Sequence, residues 1–329
     1  MTATATLDRS DLDAQYRDLL TAVTFRPVFV MGDHRSGTTI LYKILGATGC
    51  FNIVTVYDIA RFNRLLYDHV NHSTTESKEE LNNYLRQRGM QDRVFDRVSV
   101  DADTPEEYGF ILRNGGSRPQ LREDNVADLV ALCKKLQLTS GNTLPILLKN
   151  PWDYFRNFLY VKQVFPDSKF IFIHRYPPEV INSQMTTMHS LLGARNEYVA
   201  LVADWYDALF HQPVRLALTR FMFSSHFDLG LRWAIRHVQR ATDYYMENHA
   251  SLPAADCVTV RYEDLCTDPG TTVASIMQAL SIDTYADIDY ASYIKARDVP
   301  LADELQRRWP KVSRTMAAYL NKFNYETQK

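Results

Sequence analysis

The chain has 329 residues, 46% of them hydrophobic and 23% charged, and its 37 Lys plus Arg nearly balance 39 Asp plus Glu for a net charge of −2. That is the profile of a globular protein able to bury a sizeable core, and the lack of a basic excess excludes nucleic acid as a main partner. The opening MTATATLDRSDLDAQYRDLL has neither the basic start nor the apolar centre of a signal peptide, and no apolar run nears the roughly 20 residues that span a bilayer. No membrane partner is therefore expected. The four cysteines (Cys50, Cys133, Cys257, Cys266) form no CxxC pair and no metal-spaced cluster with His. They read as reduced, mostly buried thiols of a cytoplasmic protein that holds no metal.

In chain order, residues 1–24 read as an N-terminal helical arm and 25–329 as a single domain, since no repeat, low-complexity tract or Gly/Ser linker divides them. Four short β-rich runs follow: Pro27–Met31 (PVFVM), Leu144–Lys149 (LPILLK), Lys169–His174 (KFIFIH) and Cys257–Arg261 (CVTVR). Each is nearly continuously apolar, as strands covered on both faces of a parallel sheet are. Between them lie helical patterns. From Phe227 to Asn248, Leu231, Ala234, Val238, Ala241 and Tyr245 recur at spacings of three and four, one face of an amphipathic helix. Strands alternating with helices predict an α/β fold with a mostly parallel central sheet flanked by helices. The stretches Asp58 to Thr143 and Thr186 to Ala255 show no strand pattern and read as helical insertions over the ligand edge. Ligands in such sheets sit beyond the carboxyl ends of the strands. Three of the four strand endings carry a cation there.

After the first run comes Gly32-Asp33-His34-Arg35-Ser36-Gly37-Thr38-Thr39, then a helical pattern. A glycine-containing strand-to-helix loop aims backbone N–H groups at an anion, and the helix dipole adds to the attraction. Gly32 and Gly37 are spaced as in G-x-x-x-x-G-K-[ST], but Thr38 stands where that motif has its Lys. A triphosphate-using kinase needs that Lys, and a carboxylate for Mg²⁺. Here the strands LPILLK and KFIFIH end in cations instead. Arg175 leaves the latter strand, and Ser183 follows eight residues later, early in a helix begun by Pro177 and Pro178. An Arg and a Ser so placed can grip one phosphate.

The segments GDHRSGTT and FPDSKFIFIHRYPPEVINS resemble the 5′-phosphosulfate loop and 3′-phosphate motif of the PAPS-dependent sulfotransferases, closest to bacterial members with R-S-G-T-T. VTVRYEDLCTDPG is similar to the family's late strand and Tyr-Glu-Asp-Leu segment. The matches fall in order over residues 26–281. The resemblance implies a P-loop-like phosphosulfate loop in which Arg35, Ser36, Gly37, Thr38 and Thr39 hold the 5′-phosphosulfate, with Arg175 and Ser183 on the 3′-phosphate. It implies transfer of a sulfuryl group from PAPS to a hydroxyl or amine of a small-molecule acceptor, releasing PAP, with no metal required. Fixed cations can neutralise the transferring oxygens. A homo-oligomer is compatible with this reading.

Two departures matter. Many relatives place a His general base after the middle strand, where this chain has Lys149-Asn150-Pro151-Trp152-Asp153. Lys149 is expected at the sulfuryl group. Asp153, or Asp58 after the first helix, is expected as base, the other being a helix cap; His34, His174 and His189 are lesser candidates. The family's C-terminal Arg-Lys-Gly segment is also absent, and Lys295, Arg297, Arg307, Arg308 and Lys311 form the basic stretch that could stand in for it. Acceptor specificity is expected in the aromatic insertions (Tyr57, Phe62, Tyr67, Trp205, Tyr206, Phe210, Phe221 and Phe223 among them). The alternatives are a P-loop nucleotide-dependent kinase, opposed by Thr38, and a non-catalytic nucleotide-binding relative, motivated by the missing His.

Overall fold

The computed structural model describes residues 10–90, 99–112, 119–224, 228–294 and 299–325. Five strands, β1 Pro27–Met31, β2 Asn52–Ile53, β3 Ile146–Lys149, β4 Lys169–His174 and β5 Cys257–Arg261, form one sheet in the order β2-β3-β1-β4-β5. All four pairings are parallel. Three of the strands match the sequence reading residue for residue. β3 starts two residues later than LPILLK suggests, because Pro145 has no N–H to give the ladder. β2 was not expected. It is two residues long on an outer edge, too short for any periodicity to register.

Alternation along the strands splits the interior into two layers. Phe29 and Met31 of β1, Ile146 and Leu148 of β3, and Phe170 and Phe172 of β4 enter one core with the Val126–Ser140 and Leu229–Asn248 helices. Val28, Val30, Leu147, Ile171 and Ile173 enter the other with the Thr38–Ala47 and Pro269–Ala279 helices. Double coverage explains why these strands read as continuous apolar runs. It fails for the edge strand β5, of which only Val260 is buried. Likewise Cys133 alone of the four free thiols is buried, the other three being half-buried.

The amphipathic helix begins at Leu229, and all five of its expected core positions are buried. Phe227 lies outside the described residues. The arm is a 3₁₀ helix, Leu12–Leu20, tied down by an ion pair between buried Asp13 and Lys135 at 2.8 Å. Residues 1–9 of it lie outside the description. No helix among the described residues is long and apolar enough to cross a membrane. β1 is central, with β3 on one side and β4 on the other, so chain direction around the sheet reverses at its carboxyl end. That is where a crevice opens in such sheets.

Candidate active site

The loop from Gly32 to Gly37 occupies this crevice. A β-carbon on Gly32 would lie 2.6 Å from Ser36 Oγ and 2.7 Å from the Ile173 carbonyl oxygen, so only glycine lets the loop lie against β4. Gly37 has a φ of +100°, and a β-carbon there would strike the Tyr262 ring at 2.3 Å. Arg35 is itself left-handed, with φ 73°, an uncommon state for a residue with a side chain. The turn closes through the Ser36 N–H on the Asp33 carbonyl (3.1 Å) and the His34 N–H on Asp33 Oδ1 (2.7 Å). Ser36 Oγ is buried without a hydrogen-bond partner among the described residues. Thr38 is buried and Thr39 half-buried at the start of the Thr38–Ala47 helix. Hydroxyls and free N–H groups at a helix N-terminus make an anion seat.

Three cations border it. Arg35 Nε donates to Ser183 Oγ at 3.0 Å, and Arg175 donates through Nη1 to the Arg35 carbonyl at 3.2 Å. Arg175 also donates through Nε and Nη2 to Glu179 Oε2, at 3.0 and 2.7 Å, and its guanidinium lies 4.5 Å from the centre of the Tyr262 ring. The sequence reading paired Arg175 with Ser183; in the structure Arg35 links the two. Lys149, at the end of β3, is 1% exposed, donates to Thr39 Oγ1 at 3.1 Å, and sits 3.1 Å from Glu107 Oε1. Thus Arg35, Ser36, Gly37, Thr38, Thr39, Lys149, Arg175 and Ser183, distant in sequence, converge at neighbouring strand ends.

The two expected base candidates do not join them. Asp153 is fully buried in the short Pro151–Tyr154 helix and caps nothing. Tyr108 Oη (2.5 Å) and Asn150 Nδ2 (2.8 Å) donate to its Oδ2, and the Leu121 N–H (2.9 Å) and Asn157 Nδ2 (2.5 Å) to its Oδ1. Both oxygens are saturated, and burial pushes the carboxyl upward against those four bonds. It is a structural knot. Asp58 is the third residue of the Val56–Ala60 helix and forms a reciprocal capping box with Thr55, whose N–H and hydroxyl reach Asp58 Oδ2 at 2.8 and 2.7 Å. It faces an open cavity of about 240 Å³ shared with Asn52, Lys78, Thr139 and Ser140, whose lining includes neither the loop nor its cations. His174 Nδ1 is paired with Tyr319 Oη at 2.9 Å while its Nε2 is buried without a partner among the described residues, and His189 Nε2 is paired with the Phe223 carbonyl at 2.6 Å.

Some residues of the site carry no sequence signal. Glu107 follows a β-bridge between Thr55 and Pro105, in a turn without motif or periodicity. Asp33 pairs with His237 at 3.6 Å, and the imidazole stacks between Phe155 and Trp233 at 4.5 and 5.3 Å. His34 Nε2 is buried without a partner among the described residues, and burial lowers the imidazole's proton affinity against the pull of Glu107 and Asp33. Tyr262 was legible as part of a matched segment, but its role as a platform for Arg175 and Gly37 is purely spatial. Of the expected acceptor-wall aromatics, Tyr57, Tyr206 and Phe223 are core residues, while Trp205 and Phe221 face outward. In the basic stretch, Arg307 and Arg308 pair with Glu304 and Asp228, and Lys295 and Arg297 lie outside the described residues.

Comparisons with known proteins agree with this architecture. Sulfotransferase STF9 from Mycobacterium avium is similar over 95% of this chain and 81% of that one, with a TM-score of 0.62 and 17% identity. Sulfotransferase STF1 from Mycobacterium tuberculosis H37Rv is similar over 93% and 80%, with a TM-score of 0.55 and 17% identity. At that identity the likeness speaks for the fold. No curated protein matches the sequence. Residues 27–222 and 204–287, which contain every strand and every cation of the site, match the model of the Sulfotransferase family; the chain belongs to that family.

Proposed function

We propose that the protein transfers a sulfuryl group from PAPS to a hydroxyl or amine of a small-molecule acceptor and releases PAP. The observation that carries this reading is the joined pair of anion seats: Arg35 on Ser183, and Arg175 on the Arg35 carbonyl. A nucleotide with one anionic group at its 5′ end and another at its 3′ position needs two such seats within its own length. The residues fit it. Ser36 Oγ is buried and unsatisfied in a cradle that a β-carbon at Gly32 would fill, which supports Arg35, Ser36, Gly37, Thr38 and Thr39 holding the 5′-phosphosulfate. Arg175 and Ser183 would hold the 3′-phosphate. When bound, PAPS supplies the activated sulfuryl group.

The chain's own residues supply charge and proton handling. Lys149 sits beside the loop hydroxyl of Thr39 and meets the negative charge that develops during transfer, so no metal is called on. Glu107, 3.1 Å from that ammonium, takes the place expected for Asp58 or Asp153 and accepts the acceptor's proton. Its neighbourhood to Lys149 favours a catalytic protein over a binding-only relative. A cytoplasmic location is part of the same proposal, supported by four free thiols.

Thermal melting of the full chain with PAP, AMP and ATP, each with and without Mg²⁺, tests the reading. A ligand at 100 times its Kd adds about 2.7 kcal/mol, and PAP is expected to give that shift without metal. Stabilisation by ATP with Mg²⁺ but not by PAP would restore the kinase alternative. PAP binding without turnover on phenols, alcohols or amines would restore the non-catalytic one.

A further inference from the structure

The Pro213–Met222 helix (PVRLALTRFM) is built inside out: none of its residues is buried. Its large apolar side chains Val214, Leu218 and Phe221 share one face, at i, i+4 and i+7, and are 74%, 63% and 50% exposed. Leu216 and Met222 seat the helix against Leu192, Leu209 and Phe223, and Arg220 ties it down by donating through Nε and Nη2 to the Leu192 and Gly193 carbonyls at 2.8 and 3.3 Å. Trp205 (45% exposed), Leu229 (43%) and Trp233 (46%) are also exposed in the same stretch of chain. Of nine exposed large apolar side chains among the described residues, six fall between 205 and 233, so this is concentration rather than the scatter that needs no explanation.

The charges on this helix select the occupant. Arg215 and Arg220 lie about 100° and about 120° to either side of the Val214 direction, and no acidic residue occurs from Gln212 to Phe223. An apolar stripe with Phe, flanked by arginines and bordered by Trp, is the pattern of a helix lying in a membrane interface. A second copy of this chain would set the same arginines against each other across a two-fold axis, which disfavours self-association. We propose that this face docks on the surface of an anionic phospholipid bilayer, peripherally, with Val214, Leu218 and Phe221 inserted and Arg215 at the headgroups. The absence of a spanning helix has no bearing on such contact. The face adjoins the proposed site, because the helix packs on Pro177–Gly193, which carries Ser183, and Trp233 stacks on His237 beside Asp33. The docking does not depend on the sulfotransferase reading.

Flotation of the full chain with phosphatidylcholine vesicles, alone or with a third of phosphatidylglycerol, tests it. Binding is expected to the mixed vesicles only and to weaken severalfold as salt rises from about 0.1 to about 0.5 M. Leu218→Ser with Phe221→Ser should lower partitioning at least tenfold, and Arg215→Gln about fivefold. Both variants should keep the wild-type melting temperature and PAP-induced shift, which separates loss of the surface from loss of the fold. Absence of wild-type flotation, or flotation of the double-serine variant at the wild-type level, overturns the proposal. So does a wild-type dimer that the double-serine variant converts to monomer, since a second copy would then be the occupant.

Discussion

Arg175 gives two donors to Glu179 and one to the Arg35 carbonyl, so a 3′-phosphate would have to share it with groups already in place. Arg175→Ala is expected to weaken PAP at least tenfold while barely changing AMP, since a charge-assisted hydrogen bond is worth about 1.5–3 kcal/mol. Titration calorimetry with both nucleotides checks this, and equal losses for the two would remove the 3′-phosphate assignment. Lys149→Ala and Glu107→Gln are expected to lower kcat by about 10²–10⁴-fold with PAP affinity nearly kept, because both act on groups that change during transfer. Wild-type turnover at saturation in either variant would strike that residue from the mechanism. Asp153→Asn separates a knot from a base. An amide nitrogen would face two of the four donors now serving the carboxylate, so stability should drop by roughly 1–3 kcal/mol while the folded fraction keeps its turnover. The cations of the site were legible because each stands at or within four residues of the end of a strand, where a motif or a break in apolarity marks it. Glu107 was not, since its only distinction is that a turn brings it to Lys149. The carboxylates chosen from sequence position have the right chemistry but the wrong partners, which chain order alone does not reveal.

Elements were legible in proportion to how much burial shaped their composition. β1 and β4 are covered on both faces, and their runs of Val, Phe and Ile leave little room for another reading. The edge strand β5 was found through its β-branched content despite partial exposure, whereas β2 is a two-residue pairing decided by tertiary contact. Tyr42 Oη donates to the Leu147 carbonyl (3.1 Å) and accepts from the Val54 N–H (2.9 Å), pinning that edge to β3 from the Thr38–Ala47 helix. The Val56–Ala60 helix next to it begins with a capping box that contains a buried acid. Burial lifts the Asp58 carboxyl to about 6 even though Thr55 donates to it. Its unfolded value is about 3.9. Between these values the folded chain holds more protons than the unfolded one, so this group's contribution to stability is full below about pH 4 and is lost as pH rises through about 6. The loss amounts to about 3 kcal/mol at most. Asp58→Asn keeps an oxygen for the Thr55 N–H and cannot titrate. Relative to the wild type, its urea-unfolding free energy should therefore climb between pH 4 and 6, leaving the variant at least as stable at pH 8. Parallel pH profiles for the two proteins would show that this carboxyl does not titrate in the window.

At the scale of the whole molecule, the sheet separates two cores, and both reach the proposed 3′-phosphate seat, one through Tyr262 under Arg175 and the other through the end of β4. His174 is the last residue of β4 and immediately precedes Arg175. It is buried in a ring of aromatics: Phe323 stacks on it at 4.1 Å, Tyr245 meets it edge-on at 4.3 Å, and Tyr319 Oη bonds its Nδ1 at 2.9 Å. Burial pushes this imidazole's proton affinity well below its ordinary value. A second tie runs through Glu263, which accepts from the Tyr176 N–H (2.8 Å) and from Tyr325 Oη (3.0 Å). The Ala317–Lys322 helix and the residues after it are thus clamped to the ends of β4 and β5, on either side of Arg175. No spacing in the sequence announces this, since the clamp joins residues about 150 positions apart by shape. Phe323→Ala and Phe51→Ala allow the two cores to be compared, because both side chains are 6% exposed but lie in different layers. Each truncation should cost about 3–5 kcal/mol of stability through the cavity it leaves. If the clamp positions Arg175, Phe323→Ala should also weaken PAP several-fold, because the binding-competent arrangement of the β4 end becomes one of several. Phe51→Ala, equally destabilised, should bind PAP as the wild type does when measured well below its melting temperature. Equal PAP affinities in the two variants would mean that the seat is set by the loop and helix around it, and that the C-terminal clamp serves stability alone.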